Sequence, residues 1–197
     1  MKIYLKTCSL YEVKTSVDYN LIDGISLLSE RSDEKCVAAD NDIKSIVSSL
    51  KGPVFISAMG SDVEELLADA LRLVHLSPNV VVKVKATLEG FKVCKLLSGK
   101  NIPVSMSGLK SITKAIMAAK SGADFISFDM NMVQQKHNDD FGFLTDTIRI
   151  FHKHNLCADV LADISCNSTN LDRITRTGIH GLEISFTNLM SFMGNSS

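Results

Sequence analysis

The three prolines of the chain are spaced 25 residues apart, and this spacing constrains the fold more than any other feature of the sequence. Each of Pro53, Pro78 and Pro103 comes just before a short run of β-branched residues. Proline has no amide hydrogen to donate to a sheet, so it is tolerated at the start of a strand rather than in its middle. The prolines therefore predict three successive strands that begin at a constant interval.

Helical patterns lie between these strands. Apolar residues recur every three or four positions from Val63 to Val74, behind Ser61 and Asp62, which are typical of a helix N-cap. The same alternation extends to both ends of the chain. The predicted strands cover residues 3–5, 22–25, 54–56, 79–85, a run from 104, 125–128, 160–162 and 182–184. The predicted helices lie near residues 10–17, 43–50, 63–74, 88–97, 112–119, 141–154, 171–176 and 189–193.

Eight strand–helix units in 197 residues leave about 25 residues for each, and no Gly/Ser-rich linker separates them. Alternating units form a parallel sheet, and eight of them predict a (β/α)8 barrel, or TIM barrel, as one domain over residues 1–197. An open, doubly wound parallel sheet is the alternative, because a strand count taken from a sequence is easily wrong by one or two. Neither G-x-G-x-x-G nor a P-loop sequence is present to favour a nucleotide site.

The composition and the charge of the chain argue against several classes of binding partner and site. The net charge is −1, so the chain has no electrostatic reason to bind nucleic acid or an anionic membrane. Its N-terminus is too short and too charged for a signal peptide. Five cysteines without a C-x-x-C pair predict neither a disulfide framework nor a zinc site, and the run at 137–140 predicts a helix cap rather than a metal site. A cytoplasmic protein is expected.

Two lysines stand out in the fourth predicted strand. Side chains alternate along a strand, so Lys83 and Lys85 share one face while Val82 and Val84 share the other. The valines should meet the surrounding helices, which directs both lysines into the barrel. Burying an ammonium is costly, and a second cation beside it favours loss of its proton, as in lysines that form Schiff bases. The alternative is that the strand ends early and both lysines are solvated.

Five segments carry a family resemblance: MKIYLKT at 1–7, LIDG at 21–24, GPV at 52–54, NVVVK at 79–83 and AAKSGAD at 118–124. Together they resemble the small-subunit transaldolase family, which includes fructose-6-phosphate aldolase. The resemblance implies a (β/α)8 barrel and Schiff-base catalysis by Lys83 on ketose sugars or dihydroxyacetone, in pentose-phosphate-type carbohydrate metabolism. It also implies that no metal or organic cofactor takes part.

Several family positions carry other residue types here. Where the family has acidic residues at the ends of strands one and three, this chain has Lys6 and Ser57. Ser107 stands for the threonine that positions a catalytic water, so it is a candidate catalytic residue beside Lys83. Ser57, Ser105, Lys85 and Lys6 are the candidate substrate-binding residues.

The family's phosphate-binding groups are also replaced. Met132 occupies the position of a family arginine, and Ile164 and Cys166 occupy the positions of a Ser-x-Arg pair. Arg173 and Arg176 are expected on the surface of the seventh helix. The family's C-terminal helix, used in ring assembly, is short or absent, which leaves the prediction of a homo-oligomer open.

Two hypotheses follow from this pattern. The chain is a transaldolase-like class I aldolase or transferase that acts on a small sugar or ketone through Lys83. Alternatively, it is a divergent, non-catalytic family member that keeps the barrel for ligand binding or association. A different kind of barrel enzyme is a weaker third hypothesis, because it leaves the match at residues 79–83 unexplained.

Overall fold

The computed structural model is a closed barrel of parallel strands in which β1 pairs with β8. The structure describes residues 1–27, 40–136, 139–164 and 171–194. The strands are β1 (Lys2–Thr7), β2 (Gly24–Leu27), β3 (Val54–Ser57), β4 (Val80–Lys85), β5 (Val104–Leu109), β6 (Phe125–Asp129), β7 (Asp159–Asp163) and β8 (Gly181–Ser185). The predicted TIM barrel is confirmed, and the open-sheet alternative is wrong because the first and last strands close on each other.

Helices occupy the connections between the strands. They are α1 (Leu10–Asp18), α2 (Asp40–Ser48), α3 (Val63–Val74), α4 (Leu88–Ser98), α5 (Ile112–Lys120), α6 (Met130–Lys136), α7 (Asp140–Lys153), α8 (Leu171–Thr175) and α9 (Phe186–Gly194). The carboxylate of Asp62 accepts hydrogen bonds from the amides of Glu64 and Glu65, which satisfies two donors at the start of α3. Asp139 caps α7 in the same way, by accepting from the Gly142 amide. Both predicted caps are confirmed.

Helix α6 is absent from the sequence predictions. It begins directly at the end of β6, where the Asp129 carboxylate accepts hydrogen bonds from the amides of Asn131 and Met132. This interaction caps a helix without any intervening loop. The segment therefore continues as helix where the sequence indicated a connection.

The barrel wall separates two cores. In β4, the alternate residues Val80, Val82 and Val84 pack in the large apolar core between the strands and the helices. Val81 belongs instead to a smaller cluster inside the barrel. Full burial of a valine contributes about 1.5–3 kcal/mol, so this alternation fixes which face of β4 points inward. Lys83, two residues beyond Val81, points into the barrel as predicted.

The smaller cluster fills the barrel on the side of the strands' amino ends. We call it the interior plug, and it consists of Tyr4, Phe55, Val81 and Leu161, with Phe125 packed against them. The rings of Tyr4, Phe55 and Phe125 meet edge to face, with centroids 4.9 and 5.0 Å apart. These aromatic contacts stabilise a solid floor below the level of Lys83.

Two glycines make room for the ring of Tyr4. A Cβ atom on Gly24 would lie 2.8 Å from the ring, and one on Gly181 would lie 2.7 Å from it. Both distances are shorter than any ordinary contact, so a side chain at either position would displace the ring. The two glycines therefore allow a large aromatic residue to fit inside a narrow barrel.

The cysteines depart from the sequence prediction. Cys8, just after β1, is disulfide-bonded, whereas Cys94 is buried and free and Cys157 is exposed and free. The prediction of a chain without disulfides is wrong at Cys8, since spacing in the sequence does not report which cysteines meet in space. Within the described residues, no helix is long and apolar enough to cross a membrane.

Candidate active site

Lys83 lies inside the barrel, and only 7% of its surface is exposed. It stands directly above Val81 of the interior plug, on the side of the strands' carboxyl ends. Functional residues of (β/α)8 barrels are found at this end, where the loops after the strands meet. The position of Lys83 therefore agrees with the sequence prediction of a buried, inward-facing lysine.

A carboxylate from the opposite part of the chain neutralises the Lys83 ammonium. The Nζ atom of Lys83 donates hydrogen bonds to Oε2 and Oε1 of Glu183, at 2.6 and 2.8 Å. Glu183 lies in the middle of β8 and is fully buried. Burial of either charge alone would cost several kcal/mol, and the opposite charge of the partner offsets that cost inside the barrel.

One serine contacts this ion pair, and two more are neighbours of Lys83 in the strand register. Ser26 on β2 accepts a hydrogen bond from Lys83 Nζ at 3.2 Å. The strand register places Ser57 on β3 and Ser105 on β5 directly beside Lys83. The Ser105 hydroxyl is fully buried and has no hydrogen-bond partner among the described residues. Because a buried hydroxyl without a partner is costly, Ser105 is a natural place for a substrate oxygen or a water to bind.

A second ion pair lies one layer closer to the mouth of the barrel, which is the opening at the carboxyl ends of the strands. The Nζ atom of Lys6 on β1 is 2.6 Å from Oδ2 of Asp163 on β7. Both side chains keep some contact with solvent. Lys6 is thus a cation held by a carboxylate at the mouth, and no pattern in the sequence indicated Asp163 as its partner.

The remaining candidates lie at the ends of β4 and β5. Lys85 is the last residue of β4 and is exposed, so it differs from Lys83 in its contact with water. Ser107, its neighbour in the strand register, donates a hydrogen bond to the backbone carbonyl of Val84 at 3.3 Å. The structure therefore places Ser107 one layer above Lys83, while Ser57 and Ser105 flank it.

The electrostatics below the ion pair favour neutral groups. Burial raises the pKa of Tyr4, and the carboxylates of Asp159, Asp23 and Glu183 raise it further. The phenol is therefore uncharged at neutral pH, and its hydroxyl has no hydrogen-bond partner among the described residues. Because Tyr4 below the pair is neutral, Glu183 and Lys83 are each other's nearest opposite charges in the described part of the barrel.

The positions expected for phosphate binding offer little positive charge. Met132 lies on α6 and is exposed, while Ile164 is buried just after β7; Cys166 lies outside the described residues. The guanidinium of Arg173 stacks on the ring of Phe141, 4.0 Å from its centroid. This contact borders a surface cavity of about 300 Å³, and none of its lining residues belongs to a strand. Arg173 therefore packs within the outer layer of helices and not inside the barrel, which agrees with the predicted surface position.

Sequence reasoning missed two of the residues that complete this site. Glu183 lies within the short strand β8, and Asp163 is the last residue of the short strand β7. A single acidic residue in such a segment is easily taken for an ordinary solvent-exposed residue. A signal was present for Glu183, because it alternates with Leu182 and Ile184, which are buried on the helix side. Among the described residues, no three His, Cys, Asp or Glu side chains gather as metal ligands.

Comparison with known proteins agrees with this fold. The family model for transaldolase/fructose-6-phosphate aldolase matches residues 19–182. A probable transaldolase of Pelotomaculum thermopropionicum is 25% identical over 198 residues, which cover 99% of this chain and 91% of the relative. A probable transaldolase of Kosmotoga olearia is 30% identical over 162 residues, covering 82% and 74%. A third, of Dictyoglomus turgidum, is 26% identical over 191 residues, covering 97% and 89%.

The family match spans most of the chain and coincides with a closed eight-stranded barrel that holds a buried lysine on β4. The chain therefore belongs to the transaldolase/fructose-6-phosphate aldolase family.

Proposed function

We propose that this protein is a class I aldolase or transferase in which Lys83 forms a Schiff base with a ketose or with dihydroxyacetone. The observation that carries the proposal is the environment of Lys83. It is a buried amine on a rigid strand, with a carboxylate and a serine hydroxyl within hydrogen-bond distance. Such a group is held ready to attack a carbonyl carbon and has a partner to receive its proton. We further propose a role in cytoplasmic sugar metabolism.

The chemistry requires an amine, a ketone and a means of moving protons. The Lys83 nitrogen attacks the carbonyl carbon, and loss of water from the resulting carbinolamine gives an iminium ion. The iminium withdraws electrons from the neighbouring carbon–carbon or carbon–hydrogen bond, so that bond breaks to give an enamine. The enamine then attacks an aldehyde and forms a new bond. Ser57 and Ser105 lie beside Lys83 in the strand register and are suited to bind substrate hydroxyls or a water.

A second function is favoured by the same ion pair. Both oxygens of Glu183 lie within 2.8 Å of the Lys83 nitrogen, so the lysine donates hydrogen bonds to the whole carboxylate. If this pair never separates, the lysine has no lone pair to attack a carbonyl. The barrel would then be a non-catalytic family member in which the ion pair only maintains the fold.

Borohydride trapping decides between the two functions. Incubation with dihydroxyacetone and borohydride should reduce the imine and leave a stable adduct on one lysine, which digestion and mass spectrometry locate. We expect the adduct on Lys83 and its loss in Lys83→Ala. Lys85 is the matched control, because it shares the strand and the inward register but is exposed; Lys85→Ala should be trapped normally.

The outcomes separate cleanly. An adduct on Lys83 with turnover of a ketose supports the enzyme. An adduct on Lys6 or Lys85 instead would withdraw the role of Lys83. If no small ketone gives an adduct, the non-catalytic function stands.

A further inference from the structure

We propose that Glu183 is the residue that accepts and returns the protons of the Lys83 reaction. The inference rests on the proposed Schiff-base function and goes beyond it by assigning the proton carrier. Glu183 is fully buried on β8, and its two oxygens lie 2.6 and 2.8 Å from Lys83 Nζ. A proton acceptor must lie within about 2.6–3.2 Å of the proton it takes, and Glu183 meets this condition with both oxygens.

The charges around Glu183 leave it free for this task. Lys6 on β1 is held by Asp163 on β7, the two strands that neighbour β8. Asp129 accepts two backbone hydrogen bonds at the start of α6. Below the pair, Tyr4 is a neutral phenol. Lys83 is therefore the cation that faces Glu183 in the described part of the barrel.

The burial of Glu183 argues for a role beyond stability. A buried ion pair is seldom more stable than two apolar residues of similar size, because both charges lose their hydration. The interior plug shows that this barrel can fill its interior with apolar side chains one layer below. The next layer holds a charged pair, and the neighbouring Ser105 hydroxyl has no hydrogen-bond partner among the described residues. A reacting centre needs such groups, whereas packing alone does not.

The proton balance can be written through one carboxylate. Glu183 takes a proton from the Lys83 ammonium, and the free amine forms a bond to the ketone carbon. The carbonyl oxygen then takes one of the two protons left on that nitrogen and becomes a hydroxyl. The carboxylic acid then gives its proton to that hydroxyl, the carbon–oxygen bond breaks and water leaves. The products are an iminium cation and the Glu183 carboxylate, so the net charge is unchanged.

The same oxygens serve the next step. The carbon beside the iminium loses a proton to Glu183 and becomes the enamine carbon. When this carbon attacks an aldehyde, the new alkoxide takes the proton back from Glu183. No group besides the substrate and these two side chains is required to balance the step.

The test compares Glu183→Gln, which keeps the shape but cannot accept a proton, with the unmodified protein. The first measurement is the rate of borohydride trapping with dihydroxyacetone. The second is exchange of the dihydroxyacetone carbon-bound hydrogens with deuterated water, followed by NMR. We expect both rates to fall by about 100-fold or more, the usual share of a positioned proton carrier. Asp159→Asn is the matched control, because Asp159 is a carboxylate on β7 at the other end of the barrel, next to Lys2.

Chemical rescue distinguishes a proton carrier from a structural partner. Glu183→Ala opens a space beside Lys83, and added formate should restore at least a tenth of the lost exchange rate, whereas chloride at equal ionic strength should not. Should Glu183→Gln fail to fold, Glu183→Asp provides the test, since it keeps the carboxylate one methylene further from Nζ. We expect Glu183→Asp to be trapped on Lys83 more slowly than the unmodified protein.

The results bear on the two proposals separately. If the unmodified protein gives no adduct with any ketone, the proposed function itself fails. If the unmodified protein is trapped and Glu183→Gln is trapped equally fast or faster, Schiff-base chemistry stands and the role of Glu183 is overturned. Equal rates for Glu183→Asp and the unmodified protein would overturn it in the same way.

Discussion

Two lysine–carboxylate pairs lie inside this barrel with the same shortest N–O distance, 2.6 Å, and differ in their contact with water. In the Lys83–Glu183 pair, 9% of the lysine side chain and none of the glutamate side chain is exposed. In the Lys6–Asp163 pair the exposed fractions are 21% and 15%. The attraction between two charges depends on the surrounding medium as strongly as on their separation. The comparison teaches that the two pairs differ in solvent access and not in distance, so the medium around each pair sets how far its two charges depend on each other.

The largest expected difference is in the cost of removing one lysine. Lys83→Met leaves Glu183 buried without its partner, so the free energy of unfolding should fall by about 3–5 kcal/mol. Lys6→Met leaves Asp163 with access to water, and the loss should stay near 1 kcal/mol or less. Urea denaturation of both variants measures the two losses, and equal losses would contradict the comparison.

The control for this prediction removes both charges of the buried pair. Lys83→Met combined with Glu183→Leu leaves no buried charge, so the double variant should be more stable than Lys83→Met alone. A double variant less stable than the single one would show that packing, rather than the unpaired charge, causes the loss.

The second prediction concerns alkaline pH and the residue beneath the buried pair. Because burial and the nearby carboxylates raise the pKa of Tyr4 above that of the unfolded chain, its contribution to stability is complete below about pH 10. That contribution is lost as pH rises further, by up to about 1.4 kcal/mol per pH unit. Tyr4→Phe should therefore lose stability less steeply above pH 10. Identical slopes for the two proteins would refute the assignment.

The measurement needs one precaution. Burial, together with the charge of Asp124, raises the pKa of the Cys94 thiol to about 12, and this shift also weakens the fold as pH rises. Cys94 is therefore kept in both proteins, so its effect cancels in the comparison. Denaturant melts at several pH values between 8 and 11 give the two slopes.

A smaller effect is expected from salt. Ions screen exposed charges over about 10 Å at 0.1 M and about 3 Å at 1 M, and they screen buried charges much less. The stability lost in Lys6→Met should shrink as sodium chloride is raised through this range, while the loss in Lys83→Met should stay nearly constant. Parallel salt dependence in both variants would mean that water reaches Glu183 as readily as it reaches Asp163.

The smallest expected effect is on phosphate recognition. Lys6 is already paired with Asp163, Met132 carries no charge, and Ile164 is buried and apolar. Fructose 6-phosphate should therefore bind no more tightly than unphosphorylated dihydroxyacetone, since a phosphate group needs arginine or lysine partners. Calorimetric titration with both ligands checks this, and a clear advantage for the phosphorylated sugar would show that Lys6 or Lys85 is available to it.

Local patterns in the sequence were sufficient to predict the eight strands and every helix except α6. Pro53 and Pro103 stand immediately before β3 and β5, and the stripe from Val63 to Val74 forms α3 with the predicted Asp62 cap. These features depend on residues that are close in the chain. The inward direction of Lys83 was predictable for the same reason, because alternation along β4 is a local property.

The partners of the lysines were not predictable in the same way. Lys83 and Glu183 are 100 residues apart, and Lys6 and Asp163 are 157 apart. Which inward side chains meet depends on how the strands are staggered around the closed barrel, and no short pattern records that stagger. The sequence therefore located the nucleophile candidate but not the carboxylates that face it.

The interior plug has a consequence for the order of events at Lys83. Tyr4, seated against Gly24 and Gly181, blocks the barrel from below, so a molecule reaches Lys83 from the mouth and departs by the same route. A cleaved donor would leave one fragment attached to the lysine and the other in the passage to solvent. The detached fragment must diffuse out before an acceptor can occupy its place. Under the proposed Schiff-base function, a barrel with a sealed floor therefore predicts ping-pong kinetics for group transfer at Lys83.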